Sequence, residues 1–390
     1  MSGEDRGAPV DVVATGSPYD GLDSPQDGIA LCLSGGGYRA MLFHAGALWR
    51  LNELGYLPKL ARISSVSGGS ITAGVLGLNW GRLAFDPNGV AGAFETEVVS
   101  PLLALASTTI DAGAIVGGLL LPGSISDKVV NAYRTHLFGN ATLQDLPTAP
   151  PHFVINATSV QTGALFRFSK PYLADYRLGT IPNPTIELAV AVAASSAFPP
   201  VLSPLTLDFD MTQWAPPSGL PSEDLRAAPY LTRVVLTDGG VYDNLGLETA
   251  WKKYKTILVS DGGGALQPEP APHTDWARHA LRILDVIDNQ VRSLRTRQVI
   301  GSFDAGERTG TYWGIRSDIA DYGAVSPLPC PPEDTSALAM TPTRLAQLDD
   351  TLQERLLNWG YAICDAAMRR HVLPNASAPG GFPYPASGVG

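Results

Sequence analysis

Residues 29–41 read IALCLSGGGYRAM, and their pattern is the strongest indication of the architecture of this chain. The apolar run Ile29–Leu33 predicts a short buried strand, and the three glycines at 35–37 predict a tight loop after it. Helical spacing follows, in the apolar residues Met41, Ala45, Leu48 and Leu51. The stretch is therefore a strand, a glycine loop and a helix in sequence.

The same unit occurs a second time at residues 62–71, RISSVSGGSI, with its short strand predicted at residues 62–66. Further continuous apolar runs predict strands at residues 153–157, 165–168, 234–237 and 256–260. Strands of this kind, alternating with helices, are typical of a sheet that is buried on both faces. The sequence predicts a three-layer α/β fold with a mostly parallel central sheet, helices on both faces and further helices at the C-terminal end.

The composition is that of a globular protein, because 45% of the 390 residues are hydrophobic and 16% are charged. The net charge of −10 argues against broad electrostatic binding of nucleic acid. The three cysteines, Cys32, Cys330 and Cys364, are far apart and form no Cys-x-x-Cys pair. They suggest neither a disulfide framework nor a thiolate metal site, so a reducing cytoplasm fits best and we expect no metal or other cofactor.

Shifts in composition predict four parts of the chain. Residues 1–27 and 374–390 are rich in Gly, Ser and Pro, which indicates a mobile leader and a loose tail. The α/β pattern occupies residues 28–263. Residues 264–373 contain two amphipathic helical stripes, near residues 276–300 and 343–371, and are expected to form a helical extension packed on the main domain.

Ser67 occupies the position expected of a nucleophile. It lies between a short strand and a predicted helix, where a hydroxyl is exposed on a tight turn and the helix N-terminus favours negative charge. The local sequence SVSGG follows the nucleophile-elbow pattern Gly-x-Ser-x-Gly, except that Ser65 replaces the first glycine. The alternative is that the serines of this segment only cap and turn the chain.

The glycine loop offers backbone amides for an oxyanion. Gly35, Gly36 and Gly37 allow a substrate to approach closely, and backbone N–H groups are the usual donors in acyl transfer. If the loop and the elbow follow neighbouring parallel strands, both lie at one edge of the sheet. A phosphate-binding loop is the competing interpretation, but Ala40 stands where Gly-x-Gly-x-x-Gly requires its last glycine.

Asp238 is the candidate general base. It ends the apolar run at residues 234–237 and precedes Gly239 and Gly240. A serine hydroxyl needs such a base, because it is a weak nucleophile when protonated. Taken alone, an Asp-Gly-Gly sequence is also common in ordinary turns.

These three motifs together, in this order, resemble those of the patatin-like phospholipase family. The segment AASSAFPP at residues 193–200 and the sequence YDN at residues 242–244 are also similar to the family's pattern. The resemblance covers residues 28–263 and does not extend to the C-terminal helices. It implies a patatin-like catalytic domain.

The resemblance further implies a hydrolase of lipid acyl esters, of the phospholipase A or lysophospholipase type. Ser67 would attack, Asp238 would take the proton directly, the amides of the glycine loop (Gly35, Gly36 and Gly37) would hold the oxyanion, and Arg39 would support that loop. The family pattern requires no metal or other cofactor. The implied partner is a phospholipid or lysophospholipid.

Two other functions stay open at this stage. A histidine could complete a Ser-His-Asp triad for soluble esters, and the candidates that follow the aspartate in the chain are His273, His279 and His371. A non-catalytic module that binds a lipid or a nucleotide is the other alternative. No sequence motif shows or excludes activation by a small nucleotide.

Membrane contact and self-association are also expected from particular segments. Residues 98–121 are apolar but broken by glycine and proline, which argues against a membrane span there. The segment could instead line an acyl chamber or form a core helix. Several arginines between residues 278 and 297 could face anionic headgroups, but a solvated face paired to acids is the favoured alternative, because Asp285 and Asp288 lie nearby. The apolar stripes of the C-terminal helices could make a homo-oligomer. We expect a cytoplasmic protein with peripheral contact at the inner face of the membrane.

Overall fold

The computed structural model describes residues 25–111, 124–216 and 225–390. Most of the expected leader, residues 1–27, lies outside the described residues, as do residues 112–121 of the apolar segment 98–121. No helix within the described part of the chain is long and apolar enough to cross a bilayer.

Ten strands of the described ranges form one sheet. They are β1 (Gln26–Leu33), β2 (Arg62–Val66), β3 (His152–Ser159), β4 (Leu165–Ser169), β5 (Tyr172–Asp175), β6 (Gly179–Pro182), β7 (Leu205–Asp208), β8 (Arg233–Asp238), β9 (Tyr254–Asp261) and β10 (Thr309–Gly314).

The α-helices of the described ranges are α1 (Gly37–Glu53), α2 (Gly68–Asn79), α3 (Ser100–Ala106), α4 (Ser124–Tyr133), α5 (Leu188–Ser195), α6 (Gly240–Asp243), α7 (Glu248–Trp251), α8 (Trp276–Asp304), α9 (Pro332–Ala339) and α10 (Asp350–His371). Two π-helical turns, Glu95–Val99 and Arg134–Phe138, adjoin α3 and α4.

The sheet has a parallel part and an antiparallel part. Strands β10, β9, β1, β2 and β3 lie side by side and pair in parallel. Beyond β3 the sheet continues through β4, β5 and β6 with antiparallel pairing, while β8 also pairs antiparallel with β3 and carries β7. The parallel part contains both strand-glycine-helix units.

Helices cover both faces of the sheet, as the pattern of β1 shows. Its side chains alternate between two hydrophobic clusters: Leu31 and Leu33 join the cluster that contains α1, α2 and α10, whereas Ala30 and Cys32 join the cluster that contains α7 and the end of α8. Alternation of this kind places successive residues on opposite faces of a strand. The predicted three-layer α/β fold is confirmed.

The C-terminal region is part of this core. Strand β10 extends the central sheet by pairing with β9, and α10 packs along α1. A Cβ atom at Gly46 of α1 would collide with the carbonyl oxygen of Leu357, and one at Gly360 of α10 would collide with that of Phe43. Two glycines therefore allow the backbones of α1 and α10 to touch.

The last residues of the chain, for which the sequence predicts a loose tail, lie against α10. The amide nitrogen of Asn358 donates to the carbonyl oxygens of Tyr384 and Gly388, and the backbone N–H of Tyr384 donates back to the Asn358 oxygen. Val389 is buried. One buried asparagine thus fixes a segment whose composition is that of a coil.

We predict that Gly360→Ala will lower the free energy of unfolding by about 3 kcal/mol, because the new methyl group must push two packed helices apart. Urea denaturation measures the effect. Gly301→Ala on α8 is the control: a Cβ there meets no atom within 4 Å, so the change should stabilise the exposed helix by about 1 kcal/mol. Equal stability of Gly360→Ala and wild type would contradict this account of the helix contact.

Candidate active site

Ser67 lies on a sharp turn between β2 and α2. Its backbone has φ 51° and ψ −119°, a conformation that side-chain-bearing residues rarely adopt, and it caps the N-terminus of α2. The residue is 7% exposed. A nucleophile elbow requires this geometry, in which a serine with a strained backbone is held at the N-terminus of a helix.

The glycine loop lies directly against this turn. Strands β1 and β2 pair in parallel with Leu33 opposite Ser65, so the residues after each strand meet at one edge of the sheet, as expected. A Cβ atom at Gly35 would approach the Cβ of Ser67 to 3.2 Å. A Cβ at Gly68 would collide with the carbonyl oxygen of Gly37. Any side chain at either position would therefore separate the loop from the elbow.

The antiparallel pairing of β8 with β3 brings Asp238 next to the serine elbow. Strand β4 occupies one edge of β3, and β2 and β8 share the other: Val66, the last residue of β2, pairs with Asn156, and Asp238, the last residue of β8, pairs with the next residue, Ala157. Because β8 runs opposite to β2, the carboxyl ends of the two strands meet head to head, and Ser67, which follows Val66, comes next to Asp238. The sequence predicts that Asp238 ends a strand, but not that this strand runs opposite to its neighbour.

The Asp238 carboxylate is buried next to the Ser67 hydroxyl. Its Oδ1 accepts a hydrogen bond of 2.7 Å from the backbone N–H of Gly240, and its Oδ2 has no well-formed hydrogen bond with any described residue. Burial raises the pKa of Asp238 to about 7, while the Gly240 amide and the Ser67 hydroxyl act to lower it and the charge of Asp288 raises it. A carboxylate with this pKa can exchange protons near neutral pH.

The three glycine amides are not equivalent. The N–H of Gly35 donates to the carbonyl oxygen of Asn244 at 3.0 Å, so it is already engaged. Gly36 and Gly37 have amides with no hydrogen bond to the residues that the structure describes. Of the amides expected to hold an oxyanion, these two are the available donors.

Arg39 fixes the glycine loop from behind. Its buried guanidinium donates to the carbonyl oxygen of Gly262 at 3.0 Å, to that of Thr341, and to the Thr343 hydroxyl at 2.9 Å. Burial lowers the pKa of Arg39 to about 10, assisted by the nearby cation of Arg292, so the side chain remains charged at neutral pH. These contacts agree with the supporting role that the sequence resemblance implies.

Ser195, at the end of α5, connects the elbow to the aspartate turn. Its hydroxyl accepts a hydrogen bond from the backbone N–H of Ser67 at 2.9 Å and donates to the carbonyl oxygen of Asn156 at 2.6 Å. Its own carbonyl oxygen accepts from the N–H of Gly239 at 3.2 Å. The sequence marks residues 193–200 only through a family resemblance, and it gives no role to this serine.

A segment of the C-terminal region also lies on the glycine loop. The carbonyl oxygen of Arg344 accepts the N–H of Tyr38 at 3.0 Å, and a Cβ at Gly37 would collide with the backbone of Arg344. The Arg344 guanidinium makes two hydrogen bonds of 3.1 Å to the Asp111 carboxylate. The helix predicted over residues 343–371 begins at Asp350, which leaves these earlier residues free to form this contact.

The histidines proposed for a triad are not buried as Ser67 and Asp238 are. His273, His279 and His371 are all exposed; His279 contacts the carbonyl oxygen of His273 through Nδ1, at 3.1 Å, and the ring of His371 packs on Tyr322. His44 is buried but held between the carbonyl oxygen of Ser34 and the Ser260 hydroxyl. Within the described ranges, no three side chains of His, Cys, Asp or Glu are grouped as metal ligands.

The fold and these motifs define an α/β protein with a serine elbow, a glycine loop and an Asp-Gly-Gly turn at one edge of the sheet. The family model described as Patatin-like phospholipase matches residues 31–251, more than half of the chain. The protein belongs to the patatin-like phospholipase family. No curated protein matches the sequence at a significant level.

Among solved structures, the chain is similar to human GIVD cytosolic phospholipase A2, with 15% identity, a TM-score of 0.48 and 86% of this chain matched to 58% of that chain. The same protein in complex with methyl gamma-linolenyl fluorophosphonate matches with 12% identity, a TM-score of 0.47 and coverage of 87% and 57%. VipD from Legionella pneumophila matches with 14% identity, a TM-score of 0.35 and coverage of 87% and 66%. The chain therefore spans less than two thirds of each of these proteins.

The buried carboxylate should lower the stability of the folded protein as pH rises toward neutral. Because the folded-state pKa of Asp238 is about 7 and the ordinary value is 3.8, the aspartate lowers stability progressively as pH rises between these values. We therefore expect Asp238→Asn to stabilise the protein more at pH 8 than at pH 4.5, as measured by urea denaturation at both pH values. A stability difference that is the same at both would show that Asp238 has an ordinary pKa.

Proposed function

We propose that this protein is a lipid acyl hydrolase of the phospholipase A or lysophospholipase type, in which Ser67 and Asp238 act as a catalytic dyad. The observation that carries the proposal is the position of Asp238: a buried carboxylate with a pKa of about 7, adjacent to the hydroxyl of a serine with strained backbone. Membership in the patatin-like phospholipase family supports a lipid ester as the substrate.

In the proposed first step, the Asp238 carboxylate takes the proton of the Ser67 hydroxyl while Oγ attacks the ester carbonyl carbon. The carbonyl oxygen becomes an oxyanion and accepts hydrogen bonds from the amides of Gly36 and Gly37. The N-terminus of α2 stabilises the same negative charge. The tetrahedral intermediate then expels the alcohol product, which receives the proton from Asp238.

In the second step, water hydrolyses the acyl-serine. Asp238 accepts a proton from the water as its oxygen attacks the acyl carbon, and it returns the proton to Ser67 Oγ when the fatty acid leaves. No imidazole is needed, because burial already raises the pKa of the carboxylate toward neutrality. Phospholipid or lysophospholipid is the proposed substrate, and the cytoplasmic location and the homo-oligomer remain predictions.

Substitution at each member of the dyad tests the mechanism. Ser67→Ala should abolish release of fatty acid from phospholipid vesicles, and Asp238→Asn should lower kcat by about 10² to 10⁴ because the general base is lost. A fluorophosphonate probe should label the wild type at Ser67. Both variants are compared at equal folded fraction.

The histidine alternative supplies the control. Alanine at His273, His279 or His371 should leave fatty acid release nearly unchanged. Loss of activity in one of these variants, with folding intact, would replace the dyad by a triad. Failure of the probe to label Ser67 under any condition would favour a non-catalytic module.

The pH profile gives an independent test. Since Asp238 must be ionised to act as the base, kcat/KM should fall as pH drops through about 7. Asp288 raises this pKa through its charge, so Asp288→Asn should move the acid limb toward lower pH. Asp304→Asn, at the exposed end of the same helix, should leave the limb in place. An acid limb that Asp288→Asn does not move would contradict the electrostatic coupling.

A further inference from the structure

Helix α8 exposes an apolar face that the proposed chemistry does not use. Trp276 is 86% exposed, and the other members of the face are between 45% and 53% exposed. We call the following residues the α8 apolar face: Trp276, Ile283, Leu284, Ile287 and Leu294. They recur at helical spacing on one side of α8.

The opposite side of α8 is fixed to the protein. Arg292 and Val299 are buried, and the guanidinium of Arg292 donates to the carbonyl oxygen of Gly264 at 2.6 Å. Arg295 forms an ion pair of 3.1 Å with Glu248 of α7. The apolar face is therefore held outward on a helix that is anchored along its second half. Contiguous exposed apolar surface of this kind indicates an interaction site.

This face lies next to the candidate active site. Helix α6, which follows Asp238 directly, packs against α8, and its Val241 is 56% exposed. Asp288, one residue after Ile287, acts electrostatically on the Asp238 carboxylate. A surface that contacts the α8 apolar face would consequently be close to the dyad.

The charge of α8 differs in sign from that of the chain. Its 29 residues contain five arginines and three aspartates, whereas the whole protein has a net charge of −10. Arg297 on α8 is exposed, as is Arg316 after β10, and neither forms an ion pair with a described residue. Arg316 also acts electrostatically on Asp288, which places it near the middle of α8. Local positive charge beside apolar side chains is complementary to anionic lipid.

We propose that the α8 apolar face docks the protein onto the surface of an anionic phospholipid bilayer. The inference rests on the proposed function, because it supplies the contact that brings a lipid ester to the dyad. Ile283, Ile287 and Leu294 enter the boundary between headgroups and acyl chains, and Trp276 takes the interfacial position that its ring favours. Arg297 and Arg316 contact the anionic headgroups.

Vesicle flotation tests this docking without catalysis. The protein carries Ser67→Ala, so the lipid is not consumed, and the vesicles are phosphatidylcholine alone or phosphatidylcholine with about one third phosphatidylglycerol, a content high enough for a strong anionic surface. Ser67→Ala should bind the anionic vesicles more tightly. The further changes Ile283→Ser and Ile287→Ser should weaken that binding at least tenfold, because two large apolar side chains are no longer transferred from water into the bilayer.

The matched control carries Val325→Ser and Met340→Ser, which are also exposed apolar residues but lie outside α8. It should bind vesicles as Ser67→Ala does. Equal binding by the α8 variant and this control would overturn the proposal.

Sedimentation velocity tests the alternative occupant of the face, which is a second copy of the chain. If the α8 changes convert a dimer to a monomer and vesicle binding is unchanged, the face is a subunit interface and the proposal fails.

Activity on a water-soluble ester separates this inference from the proposed function. With Ser67 present, the α8 double variant should hydrolyse p-nitrophenyl butyrate at the wild-type rate and lose activity only on vesicles. Loss of both activities at unchanged folding would show that the face serves the dyad itself, which contradicts a docking role. Absence of ester hydrolysis in the wild type would overturn the proposed function, whereas the flotation result would still decide the docking.

Discussion

The hydroxyl and carbonyl groups of Ser195 hold the strained backbone of Ser67 next to the turn that follows the buried Asp238. The hydroxyl accepts the amide of Ser67, and the carbonyl accepts the amide of Gly239, so one residue connects the serine elbow to the turn after Asp238. Because Ser67 has a positive φ, its conformation persists only where surrounding contacts fix it. Ser195 therefore provides a polar link, at the end of α5, between the serine elbow and the aspartate turn, which are more than a hundred residues apart in the sequence.

The site combines features that oppose stability. A carboxylate whose Oδ2 lacks a well-formed hydrogen bond is costly to bury, and the same burial raises the pKa of Asp238 toward neutral pH. An asparagine would be easier to bury but could not accept a proton. The central sheet and the two layers of helices that cover it supply the stability that such a site requires.

The C-terminal region completes the structure that the family segment begins. Residues 31–251 contain the elbow, the loop and the aspartate turn, yet the glycine loop contacts Arg344 and α1 packs on α10. Arg39 links the two parts, since it lies in the loop and bonds to Thr341 and Thr343. The glycine loop therefore depends on residues far outside the segment in which the resemblance is found.

Local patterns in the sequence were enough to predict the elements and the order of the motifs. Apolar periodicity and glycine position are local signals, so strand β2 was predicted at its observed bounds, and Ser67, the glycine loop and Asp238 could be selected as candidates. Contacts between distant segments leave no local signal. Four features followed only from tertiary packing, because each depends on which backbone atoms meet after the chain has packed. They are the antiparallel direction of β8, the hydrogen bond from Ser67 to Ser195, the engaged amide of Gly35 and the contact of Arg344 with the glycine loop.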